Sequence, residues 1–279
     1  MIQVKVLDGL PTDIDIIILS YAKDEELKAL TEQTIETLLA SEDPAEIHFN
    51  IVVIESNRQL NNYQFPRTKT IYPTEKFGYN RYANIGLKAG NSPYACICNN
   101  DLVFYKGWAS AILKQMDLDK DLQSVSPYCE ITHTSSIPDD GGNVVSTTNG
   151  ILIGWCIFFK RAILDTIGYF DEHFEFWFAD NDYGNTLAKY NIKHALVTSS
   201  KVTHLGSKTH ATLSDKDLFE KTYGQFLYFD AKWNKRAFLA TWFKGLLMPV
   251  FRYFFIKRNA HGLYPFSFRV ISKLYGGIR

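Results

Sequence analysis

Asn99, Asn100 and Asp101 interrupt the apolar run "YACICNNDLVF" (94–104), giving the end of a buried-strand pattern two amides and a carboxylate. Asn and Asp form turns readily, because their side chains bond neighbouring backbone and tolerate unusual dihedrals. At the carboxyl end of a parallel strand the same groups would line the crevice where open α/β sheets hold ligands. Two other apolar runs also end in polar groups: "IDIIILS" (14–20) leads to Ser20 and Tyr21, and "FNIVVIES" (49–56) to Glu55, Ser56 and then Asn57. Polar side chains sent by three strands to one edge favour a ligand site over three unrelated turns. Further on, "FADND" places Asp180 and Asp182 before a helical pattern that runs to about Tyr190, where carboxylates also serve as helix caps.

These groups can converge only if the intervening chain folds as alternating layers. The segment 23–40 carries apolar residues at helical spacing, 68–72 reads as a short strand, and 80–90 reads as a helix ending at Gly90. Strand, helix, strand, short strand, helix, strand is the order of a doubly wound α/β half with right-handed crossovers. After it the sequence predicts a helix over 108–117, a strand over 122–127 and loop or hairpin composition over 133–150. A strand, a short helix, a polar and aromatic loop, another helix and two short strands follow.

The composition suits a globular chain with a sizeable core: 46% hydrophobic and 22% charged, with 15% aromatic, which is high. The net charge of zero hides an asymmetry, because residues 231–279 hold ten Lys or Arg and no Asp or Glu, leaving twenty basic and thirty acidic residues before them. That segment is rich in Trp and Phe, which suits an anionic membrane surface; packing on the rest of the chain or a homodimer contact are alternatives. A boundary near Asp230 divides 1–230 from this basic extension. The four cysteines have neither zinc spacing nor a disulfide framework, and read as buried free thiols. The first residues lack a secretory-signal pattern, so a cytoplasmic location is expected.

In order along residues 14–233, the segments "IIILSYAKDEEL", "IVVIESN", "FGYNRYANIGLKAGNSPYACICNNDLV", "GWCIFFKRAILDTIGYFDEHFEFWFADND" and "VTHLGS" resemble a family 2 glycosyltransferase of the A-type nucleotide-sugar fold. The resemblance implies a Rossmann-like mixed sheet with a C-terminal helical appendage, and an inverting hexosyl transfer from a nucleotide-sugar to a saccharide or lipid-linked acceptor. It implies a Mg²⁺ or Mn²⁺ cofactor with Asp101 as direct ligand and His204 as a second. Asn99 stands where the family's first acid is usual, and it and Asn100 would contact the donor. Glu55 would accept from a pyrimidine base bracketed by Ser20 and Tyr21, favouring a UDP- or dTDP-sugar. Asn84, with Arg81, would hold its helix or the diphosphate.

By the same resemblance Asp180 is the general base, Ala179 replaces the usual Glu and Asp182 holds the later acidic position, while its place at the start of a helical pattern reads as a helix cap. Trp155 and Trp177 would form an acceptor platform, while Phe176 reads as core. Because Asn99 and Ala179 replace acids, a non-catalytic nucleotide-sugar-binding protein is the main alternative. A nucleic-acid or protein acceptor is another, although no nucleic-acid partner is expected.

Overall fold

A computed structural model of the chain describes residues 10–60, 63–133, 144–146, 152, 154–206, 225 and 228–233. Its elements run β1 (Thr12–Ser20), α1 (Glu25–Ala40), β2 (Ile47–Glu55), β3 (Lys69–Ile71), α2 (Tyr79–Lys88), β4 (Tyr94–Asn99), β5 (Leu102–Phe104) and α3 (Trp108–Leu118). They continue with β6 (Leu122–Tyr128), α4 (Glu130–His133), β7 (Val144–Ser146), β8 (Cys156–Lys160), α5 (Leu164–Ile167), α6 (Ala179–Lys189) and β9 (Lys193–His204). Residues 228–233 are helical, and the rest of the basic extension lies outside the described residues. So does most of the expected hairpin region, of which β7 alone is a strand in the described part.

The strands form one sheet in the order β3-β2-β1-β4-β8-β6-β9-β5, with β7 also on β9. The first half is parallel throughout, as the alternating pattern required. β8 then enters antiparallel to both β4 and β6, so the sheet is mixed. Alternate side chains of β1 feed two cores: Ile14, Ile16 and Ile18 pack with Ile35, Leu38 and Trp108 from α1 and α3. Ile17 and Leu19 pack on the other face with Ala83 and Leu87 of α2 and Tyr183 and Leu187 of α6. The period-two alternation of a strand thus builds a three-layer sandwich.

Local chemistry fixes the ends. Asp24 caps α1 by accepting from Leu27 N–H at 2.9 Å. Gly86 lets α2 lie on β1, since a Cβ there would stand 2.3 Å from Ile17 Cγ2. The two short strands expected near the end are instead one strand, β9. Its pairing changes midway: Ala195–Val197 pair with β6 and β7, and Val202–His204 pair with β5. A register shift opposite Pro127 and Tyr128 accommodates the change, so the polar Thr198–Ser200 stretch does not end the strand. All four cysteines are buried and free, as expected.

His194 of β9 is buried between Ser124 and Ser126, its Nδ1 2.9 Å from Ser124 Oγ. Burial holds its imidazole down to about 4. Above its ordinary value near 6.5 the ring is neutral in both folded and unfolded chains and makes no pH-dependent contribution. As pH falls below that value the unfolded chain binds a proton that the folded chain refuses, and stability declines until about pH 4. The loss attributable to His194 is on the order of 3 kcal/mol. Urea unfolding from pH 7 to pH 4 should show this slope, and His194→Gln should flatten it; an equal slope in the variant would exclude His194 as the cause.

Candidate functional site

β1, β2 and β4 end side by side, Ser20 opposite Glu55 and Leu19 opposite Asn99. The polar residues read from the sequence at these ends therefore share one edge. Glu55 is fully buried there, and its Oε1 accepts from Ala22 N–H at 3.1 Å and Asn57 N–H at 2.6 Å. Burial pushes its carboxyl up, against the lowering effect of those hydrogen bonds. Its carboxylate thus braces the turn after β1, leaving Tyr21 43% exposed at the rim. Ser20 is buried with its hydroxyl on Thr31 Oγ1, which also accepts from Asn100 Nδ2 at 2.8 Å.

The apolar return after Asp101 has a structural cause. Leu102–Phe104 form β5 and pair with the end of β9, placing Leu102 opposite His204. Asp101 Oδ1 and His204 Nε2 come to lie 3.2 Å apart. Both atoms are buried and neither makes a hydrogen bond. They contact each other, and buried polar atoms rarely lack a hydrogen bond, so the couple marks a place for a further partner. Two cis ligands each roughly 2.1 Å from a hard divalent ion stand about 3 Å apart, so the pair fits Mg²⁺ or Mn²⁺. No cluster of three or more His, Cys, Asp or Glu that could hold a metal occurs among the described residues. A partly filled set suits an ion whose remaining ligands come from substrate phosphates and water.

Trp155 stacks on His204 at 5.6 Å and 11°, and its Nε1 is also buried without a partner. His133 continues the column, 6.4 Å from Trp155 and stacked on Tyr128. Its Nε2 is another buried atom without a partner, and burial lowers its pKa. His133 was missed in the sequence; it lies in "EITH", next to a stretch of loop composition, and has no motif around it.

The residues before β8 carry the other half of the site. Trp155 O accepts from Asn99 N–H at 2.9 Å, and Gly154 N–H donates to Asp180 Oδ2 at 3.3 Å. Tyr79 at the start of α2 fixes the same glycine by donating to its carbonyl at 2.5 Å. A Cβ on Gly154 would stand 3.2 Å from Asp180 Cβ, so glycine permits this approach. Gly154 and Tyr79 were not singled out in the sequence, because their role depends on the meeting of α2, β8 and α6.

Asp180 keeps part of its surface in solvent, accepting otherwise from Asn181 N–H. Asp182 differs from the expected helix cap. It lies within the first turn of α6, and its buried carboxylate accepts from Lys232 and Trp233. Asn84 is buried and fastened at both ends of its amide to Phe170, with a further bond to Glu172; Arg81 also reaches Glu172. These contacts hold α2 to the 170–172 loop. Trp155 is buried with one face on His204, whereas Trp177 is half-buried.

Among solved structures, the crystal structure of GalNAc-T7 with UDP, GalNAc and Mn²⁺ aligns at a TM-score of 0.62 and 12% identity over 81% of this chain and 48% of that one. The fold is that of the A-type glycosyltransferases. The mannosyltransferase PcManGT from Pyrobaculum calidifontis, in complex with GDP-Man and Mn²⁺, aligns at 0.57 and 13% identity over 97% of this chain and 76% of that one. S. aureus TarS aligns at 0.57 and 14% identity over 96% of this chain and 49% of that one. The chain thus spans about half the length of GalNAc-T7 and of TarS. No family model and no curated protein sequence matches it.

Glu55→Ala should destabilise the fold by about 1–3 kcal/mol, because it leaves the buried N–H of Ala22 and the half-buried N–H of Asn57 without an acceptor. Urea unfolding at pH 7 measures this, and a loss below 0.5 kcal/mol, roughly the scale of a surface change, would remove Glu55 from the role of brace.

Proposed function

We propose that this chain is an inverting glycosyltransferase, moving a sugar from a nucleotide-sugar to a hydroxyl of a saccharide or lipid-linked saccharide. The observation that carries the proposal is the buried Asp101 and His204 couple at the strand ends, 3.2 Å apart with neither atom hydrogen-bonded, joined through Trp155 and Gly154 to Asp180. The fold shared with structures holding UDP and Mn²⁺ or GDP-Man and Mn²⁺ supports it.

In this proposal Asp101 and His204 hold Mg²⁺ or Mn²⁺, which would neutralise the charge of the departing nucleoside diphosphate. Trp155 Nε1 and His133 Nε2 are the nearby unpaired groups available to oxygen or nitrogen partners on the donor. Asn99 and Asn100, on the rim, contact its hydroxyls. Tyr21 covers the base on the turn that Glu55 braces, so the preference for a UDP- or dTDP-sugar acts through that turn. Asp180 takes the proton of the acceptor hydroxyl as its oxygen bonds the anomeric carbon from the face opposite the leaving diphosphate oxygen. Inversion follows from that geometry. Trp177 offers a ring to the acceptor sugar.

No helix among the described residues is long and apolar enough to cross a membrane. The basic, aromatic composition of the extension favours an acceptor carried at an anionic membrane surface.

Mn²⁺ with UDP, dTDP or GDP should raise the melting temperature of the wild type, since a ligand selective for the native state stabilises it. Asp101→Asn and His204→Ala should abolish the metal-dependent part of that rise and lower transfer about a hundredfold or more. An undiminished metal response in both variants would overturn the metal assignment. Asp180→Asn should retain nucleotide binding and lose on the order of 10²–10⁴ in turnover. If Asp182→Asn is the more damaging change in a folded protein, the base has been misassigned.

A further inference from the structure

Gln225 and residues 228–233 grip the segment that carries Asp180 at several independent points. Gln225 Oε1 accepts from the main-chain N–H groups of both Phe176, at 3.0 Å, and Trp177, at 2.6 Å. Phe229 stacks on Phe178 at 5.3 Å and 27°. Phe178 immediately precedes α6 and holds φ at +63°, a conformation costly for a bulky residue unless its surroundings enforce it. Two residues after Phe178, Asp180 accepts from the Gly154 N–H.

The charged contacts lie a turn further on. Lys232 Nζ lies 2.7 Å from Asp182 Oδ1 and 2.8 Å from Asp171 Oδ2. Trp233 Nε1 donates to the same oxygen of Asp182 at 2.8 Å, and the Tyr228 hydroxyl donates to Asp171 Oδ2 at 2.9 Å. His173 reaches the other oxygen of Asp171. A single ammonium therefore bridges two largely buried carboxylates that flank the Asp180 segment in sequence. Asp182 is 4% exposed, and an uncompensated charge at that depth would be costly.

We propose that Gln225, Phe229, Lys232 and Trp233 are positioning residues for the transfer reaction, setting the Phe176–Asp182 segment so that Asp180 meets the acceptor hydroxyl. The catalytic part of this inference rests on Asp180 being the base; the clamp itself does not. Through Lys232 and Trp233, the first residues of the basic extension thus have a part in the site. A general base displaced by about 1 Å can lose on the order of a hundredfold in rate, so a clamp remote from the donor can govern turnover without touching substrate.

The test uses the full chain with Lys232→Met, Lys232→Arg, Gln225→Leu and the milder Trp233→Phe, which keeps an aromatic side chain but removes the indole N–H donor and some of its volume. Hydrogen–deuterium exchange of peptides within 174–182 should accelerate about tenfold in Lys232→Met and Gln225→Leu, with β1 and β4 peptides unchanged. Release of nucleoside diphosphate from UDP-glucose, UDP-GalNAc or GDP-mannose should show kcat lowered about tenfold or more, with donor KM within about twofold. Lys232→Arg should recover most of the loss, and Trp233→Phe should fall between it and Lys232→Met. Unchanged exchange in 174–182 across the Met, Leu and Phe variants would overturn the clamp. Accelerated exchange with unchanged kcat would overturn its part in the reaction. If the wild type releases no nucleoside diphosphate from any of the three donors, the transferase proposal fails, while exchange still decides the clamp.

Discussion

The hydrogen bond from Asn99 N–H to Trp155 O extends the antiparallel ladder of β4 and β8 one step past its last strand pair, Cys98 with Cys156. The site depends on that extension. Because β8 runs against β4, the residues entering β8 lie beside those leaving β4, and two segments distant in sequence meet at one edge. Gly154 follows directly, with its N–H on Asp180 and its carbonyl on Tyr79. A parallel strand in the β8 position would have sent residues 154 and 155 to the opposite end of the sheet.

The edge treats its polar atoms in two ways. Glu55, Ser20 and Asn84 are buried, engaged with the protein and make the edge rigid. Asp101 Oδ1, His204 Nε2, Trp155 Nε1 and His133 Nε2 are buried and make no hydrogen bond. Leaving buried groups unpaired costs about 1–3 kcal/mol each, a cost the surrounding β5, β8 and β9 packing must offset. The division separates residues that shape the site from residues available to a ligand.

Charge links this edge to the far end of the described chain. The residues up to 230 carry ten more acidic than basic groups, and Asp171 and Asp182 belong to that excess. Lys232, the first cation of the basic extension, meets both. Although burial raises it, hydrogen bonds from Lys232 and His173 hold the Asp171 carboxyl down to about 2. The compositional asymmetry therefore has at least one internal use, beyond any attraction to an external anionic surface.

The layered α/β order was legible in the sequence because it rests on local periodicity. β-branched runs at 14–20 and 49–56 and apolar residues at helical spacing in 23–40 need no partner to declare themselves. The strand ends named Ser20, Glu55, Asn99 and Asp101 for the same reason, since a strand's last residue is fixed by where its apolar run stops. Resemblance added His204 and Asp180. What each side chain does was decided by tertiary structure alone. Glu55 braces a turn because Ala22 and Asn57 turn their N–H groups toward it, and Asp182 meets Lys232 fifty residues on instead of capping its own helix. Gly154, Tyr79 and His133 acquire their roles only where three elements meet. Periodicity along the chain carries the identity of an element, but partners across long sequence separations are set by how those elements pack.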